Sequence, residues 1–70
     1  MTEYRIVYHY KRFVVERIWH TRAGLNVRDY YTAKEGPYRF SSSLSEAKEY
    51  KHIRKPAKLL KALTEDAKRR

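Results

Sequence analysis

The 70-residue chain has no cysteine, only two glycines and two prolines, and no apolar run longer than three residues. Without cysteine there is no disulfide framework and no thiolate metal site, so a hydrophobic core must hold the fold alone or with a homodimer partner. That composition is compatible with a cytoplasmic setting. Runs such as Phe13-Val14-Val15 fall far short of the about 18 apolar residues that span a bilayer, and no apolar h-region stands at the N-terminus. Neither a membrane partner nor a secretory leader is expected. Acids are scarce as well: eight Asp or Glu face 17 Lys or Arg, a formal charge of +9. This lies above the about 2 to 8 usual for a small domain, repels itself, and attracts polyanions or an acidic protein surface.

What the chain does have is rings threaded through cations. Nine of its ten aromatics fall in the first 40 residues, interleaved with Arg and Lys. Cations track phosphates while rings and guanidinium planes stack on bases, so DNA or RNA is the expected partner class. Tyr4, Ile6, Tyr8 and Tyr10 alternate with Arg5, Val7, His9 and Lys11, the period of a β-strand. Phe13 to Thr21 reads as a second strand, joined to the first through a turn at Lys11-Arg12 that lacks the Gly or Asn of a primed hairpin. Gly24 closes a further turn before a third strand over Leu25 to Thr32. After Glu35-Gly36-Pro37, Tyr38-Arg39-Phe40 reads as a short fourth strand or an extended lead-in.

The remaining residues read as helical. Ser43 and Glu46 have capping-box spacing. Pro56 lacks a donor and disfavours helix at Lys55, so two helices are expected, 44–54 and 56–67, with one helix kinked at Pro56 as the alternative. The fold class is therefore α+β: one domain, with a β-meander over 1–42 of three or four antiparallel strands and a helical part over 43–70 ending in a basic tail.

Two sets of residues are candidates for binding. On a helical wheel Ala47, Tyr50, Ile53, Ala57 and Leu60 share the core face, and Lys48, Lys51, Lys55 and Lys58 share the opposite one. From Lys51 to Lys61, with Arg54 between them, five cations occur without an acid. On the strands, Arg5, Arg17, Arg28 and Arg39 fall one per strand, and Trp19, Tyr30 and Tyr38 accompany them as stacking candidates. The other reading of the rings is burial: Tyr4, Ile6, Tyr8, Trp19, Val27, Tyr31 and Phe40 are the expected core, because Leu and Ile are few. Lysines on a helix are also ordinary solvated residues.

His9, His20 and His52 are too dispersed for a metal motif, and no catalytic residue or cofactor is expected. The enzymatic alternative is a metal-independent ribonuclease, with His20 or His9 as base and Arg17, Arg22 and Glu16 around the phosphate.

The opening Tyr4-Arg5-Ile6-Val7-Tyr8-His9-Tyr10, with Phe40 leading into Ser45-Glu46-Ala47, resembles the arm-type DNA-binding domains of phage and transposon tyrosine integrases. In that family a three-stranded antiparallel sheet is followed by a helix, and the sheet enters the major groove. The resemblance spans residues 4 to 50 and implies DNA binding through Arg5, Arg17, Arg28 and Arg39. The Phe40 to Glu46 spacing is one residue long for the family, the first hairpin lacks its Gly-Lys pair, and residues 56–70 fall outside the pattern. Size and basicity also look like the small accessory proteins of bacteriophages, including inhibitors of host nucleases, polymerases or CRISPR effectors. That similarity implies an acidic host protein as the alternative partner, in the host cytoplasm.

Overall fold

The computed structural model of the chain describes residues 2–36 and 39–68. Four strands, β1 (Thr2–His9), β2 (Arg12–His20), β3 (Asn26–Tyr31) and β4 (Phe40–Ser41), form one sheet in sequence order. Every neighbouring pair is antiparallel. A single α-helix, α1 (Arg54–Lys68), follows. The α+β class and the antiparallel sheet are as the alternation of residues implies.

The first hairpin turns one residue earlier than expected. His9 faces Arg12, so Tyr10 and Lys11 make a two-residue loop, and their φ values of 47° and 62° give it the primed geometry that matches strand twist. Neither residue is Gly or Asn, so two side chains sit in the left-handed region. The second turn behaves as read: Gly24 takes φ 82°, and the Leu25 amide donates to Thr21 Oγ1 at 3.1 Å. The lead into β4 is held by the Thr32 amide, which donates to the Arg39 carbonyl at 2.9 Å. Pro37, Tyr38, Arg69 and Arg70, which include part of the expected third turn and the end of the basic tail, lie outside the described residues.

Antiparallel register sorts the side chains into two faces, because directly opposed residues point the same way. One face carries Tyr4, Arg17 and Asp29 in one row and Ile6 and Val15 in the next. There α1 packs over β1 and β2, presenting Pro56, Leu59, Leu60 and Leu63 at i, i+3, i+4 and i+7. The other face carries Val14, Glu16 and Ile18, all buried, and Leu44 and Ser45 lie beside Val14. The deepest core is aliphatic: Val14, Val15, Ile18, Ala47 and Leu63, with Pro56. Six of the expected core residues, Tyr4, Ile6, Trp19, Val27, Tyr31 and Phe40, are half-buried around it, whereas Tyr8 is 61% exposed.

The expected helix over 44–54 does not form. A 3-10 turn spans Leu44–Glu46 only, and Ser43 makes no capping bond, its hydroxyl instead meeting that of Ser45 at 2.8 Å. The reason lies in the sheet. Beyond the end of β3, β2 still offers backbone groups at Phe13, and residue 50 takes them: the Phe13 amide donates to the Tyr50 carbonyl at 2.8 Å and the Tyr50 amide returns a bond at 2.9 Å. The Lys48 amide donates to the Tyr31 carbonyl at 2.8 Å. Residues 48–50 thus continue the line of β3 beside β2, and two strand-type bonds replace helical ones.

Helix α1 starts after this splice, so the expected second helix, 56–67, is close to the observed span. Pro56 is its third residue, where a missing amide leaves no intrahelical acceptor unmatched. The kinked alternative is likewise not what forms. Because no helix runs through 44–53, the wheel drawn across Pro56 has the wrong phase: Ile53 is 53% exposed and Ala57 is exposed, and neither joins the core.

Candidate nucleic-acid interface

The chain between the splice and the first turns of α1 folds around an open groove of about 850 Å³. Lys48, Lys51, Arg54, Lys55 and Lys58 line it. These are five of the six cations expected to form a helical stripe, gathered by a bend in the chain rather than by one helix face. Lys61 stands apart on α1, exposed and outside the groove. Glu49 is the one acid in the lining.

Between the cations lie Tyr50, His52 and Ile53. Tyr50 is half-buried, and burial pushes its phenol above the ordinary value of 10.0, with the neighbouring Tyr31 adding to the effect. The backbone of Tyr50 pairs with Phe13 in the sheet, and the Phe13 ring packs on Tyr8 with centroids 4.9 Å apart. Tyr50 and Ile53 had read as core. Pro56 marks the helix that follows, but what takes the preceding segment out of a helix is the pairing of Tyr50 with Phe13.

The four strand arginines do not meet on one platform. Arg17 lies on the helix-bearing face, where its Nε donates to Asp29 Oδ1 at 2.9 Å and its Nη2 donates to Oδ2. Its guanidinium also lies 4.0 Å from the Phe40 ring centroid and 4.8 Å from that of Trp19. Arg5 lies on the opposite face and donates through Nε to Glu16 Oε1 at 2.5 Å, the carboxylate being 3% exposed as a residue. Register is the physical reason: Arg5 faces Glu16 and Arg17 faces Asp29, so each cation satisfies a buried acid. Arg28, opposite Ile18, is exposed. Arg39 is exposed, reaches over the Tyr31 ring at 5.9 Å, and lines a smaller cavity of about 320 Å³ with Arg17, Tyr4, Phe40 and Asp66.

Of the stacking candidates, Trp19 is half-buried beneath Arg17 and Tyr30 is half-buried between Glu16 and Ser41 in the sheet. Tyr38 lies outside the described residues. Of the residues named for a ribonuclease, Arg17 sits on the face opposite to both His9 and His20 by strand alternation, and Glu16, four residues from His20 on one strand, is about 13 Å away along it. Among the described residues no group of three His, Asp or Glu is placed to hold a metal ion. No described helix is long and apolar enough to cross a membrane.

In class the chain is thus an α+β meander with one packed helix and a cation-lined groove at the helix start. No family model, curated protein or solved structure was found to match it.

Proposed function

We propose that this chain is a small nucleic-acid-binding module that grips phosphates in the groove at 48–58 and performs no chemistry of its own. The observation that carries the reading is the convergence of Lys48, Lys51, Arg54, Lys55 and Lys58, with Glu49 as the one carboxylate, on one concave surface. Cations gathered this way meet their own repulsion, and a polyanion relieves it while releasing its condensed counterions. Arg28 and Lys61 extend the positive field, while Arg5 and Arg17 serve the fold. The resemblance to integrase arm domains points to the same partner class and to a regulatory role beside a mobile element, whereas that to phage accessory proteins also fits a protein target.

The test is fluorescence anisotropy with labelled DNA and RNA across a salt series. Five phosphate contacts correspond to a slope of log affinity on log salt near about −4.5 for duplex and about −3.5 for single strands. Replacing Lys51 and Lys55 with Ala should flatten the slope by about 2 units. Binding that ignores salt, or a slope that the double variant leaves unchanged, overturns the reading.

A protein target has one observation in its favour. Tyr8 and Tyr10 are 61% and 86% exposed at the tip of the first hairpin, and exposed tyrosines are typical anchors of protein interfaces. Recovery of one stoichiometric host protein after nuclease treatment, lost on changing Tyr10 to Ser, would select that reading instead.

A further inference from the structure

The groove is more than a row of cations. Its walls are charged, but Tyr50, His52 and Ile53 supply ring and aliphatic surface between them, and Ile53 leaves 53% of its surface in water. Ile53 offers apolar surface that a base, unlike a phosphate, can contact. The groove is open, and its volume of about 850 Å³ lies within the about 300–1,000 Å³ of sites that take a small molecule or part of one. We infer that the groove binds single-stranded nucleic acid, with an unpaired base laid on Ile53 and Tyr50 and the flanking phosphates held by Lys51, Arg54 and Lys55.

The chemistry comes from what each form of nucleic acid exposes. A duplex keeps its bases stacked inward and offers phosphates on a convex cylinder, so it can meet the rim of a concave groove and nothing below it. A single strand offers both parts, since its bases turn freely onto an apolar or aromatic surface while the backbone tracks the charges. Tyr50 suits the task because its backbone is fixed to Phe13 in the sheet, so the position from which its half-buried ring enters the groove is set before binding. His52, also in the lining, adds a second ring to that of Tyr50, and stacking on a ring face tolerates different sequences.

This inference rests on the nucleic-acid reading, and one experiment separates their failures. The full chain is titrated at one salt concentration with a labelled oligothymidylate, an oligouridylate of the same length, and a blunt duplex of that length. Single strands should bind at least about tenfold tighter than the duplex, and the two single-strand probes distinguish DNA from RNA as the source. Ile53→Ala should weaken single-strand binding about fivefold and leave duplex binding unchanged, because it removes base contact and no charge. Ile53→Trp guards against misfolding as an explanation: the larger platform should tighten single-strand binding, and its emission, measured against the parent chain that holds Trp19 alone, should be quenched by single strands only. Equal affinity for duplex, or indifference to Ile53→Ala, overturns the inference and leaves the phosphate-binding module standing. No binding of any probe overturns both.

Discussion

Phe13 and Tyr50 exchange both backbone hydrogen bonds, at 2.8 and 2.9 Å, and through that pair the sheet holds the cation groove in place. The same pairing sets Tyr50 near Tyr31, where its phenol is half-buried. A position that anchors a binding loop is therefore also a titratable one.

Burial first, and Tyr31 second, raise the Tyr50 phenol above its ordinary 10.0. A folded-state value above the unfolded one means the folded chain retains a proton that the unfolded chain has lost. The contribution is therefore fully present below pH 10.0 and declines as pH climbs through the folded value. Urea unfolding on both sides of that pH should show the decline, and Tyr50→Phe should reduce it relative to the parent. An identical pH dependence in the variant would refute the assignment.

Tyr10 and Lys11 occupy left-handed backbone at φ 47° and 62°, where a side chain costs about 1–2 kcal/mol per residue. Gly removes that cost but loses about 0.5–1 kcal/mol to chain entropy. The double change Tyr10→Asn and Lys11→Gly should therefore stabilise the fold by about 1 kcal/mol, read as a rise in Tm of about 4–8 °C. A fall in Tm would mean that the Tyr10 ring, which meets His9 at 4.3 Å, matters more than the turn.

Asp29 is buried, and both its carboxylate oxygens accept from Arg17. Asp29→Ala strands the guanidinium between Trp19 and Phe40, and should cost about 2–4 kcal/mol in urea unfolding. Replacing both partners, Arg17→Met with Asp29→Leu, should recover most of that loss, since no charge is then left without a partner. Failure to recover would show that the cation–ring contacts, not the ion pair, hold this site.

The first turn of α1 contains Arg54 and Lys55 and no acid, although the positive end of the helix dipole favours negative groups there. Lys55→Glu should thus stabilise the helix by about 0.3–1 kcal/mol while weakening nucleic-acid binding. Opposite signs in the thermal melt and the anisotropy titration distinguish a charge kept for binding from one kept for folding. A melt that falls with binding would contradict this division.

The strands are legible from alternation because a two-residue period needs only local sequence, and Gly24 marks its turn by the one property no other residue shares. The helix start at 54 is legible from Pro56. Two things depend on contacts between distant residues. The segment 43–53 has a capping-box pattern and helical wheel spacing, yet the unpaired end of β2 at Phe13 competes for its backbone, and no local signal reports that vacancy. The ion pairs are recoverable in principle: once the turn is set at Tyr10-Lys11, antiparallel counting brings Arg5 opposite Glu16. Setting the turn at Lys11-Arg12 shifts that count, so Arg5 looks free. The acid-free run from Lys51 survives either way, because charge composition is independent of conformation.

The line beside β2 is written in two pieces, Asn26–Tyr31 and then residues 48–50, with an excursion over 32–47 spliced between them. Both ends of the excursion are fastened by the sheet, Lys48 bonding directly to the Tyr31 carbonyl, so its length does not set the position of the groove. Doubling such a loop adds only about 0.6 kcal/mol of closure entropy. Because the excursion also carries β4 and the buried Ala47, a peptide tag belongs at its exposed Lys34-Glu35, where it leaves the splice and the groove in place.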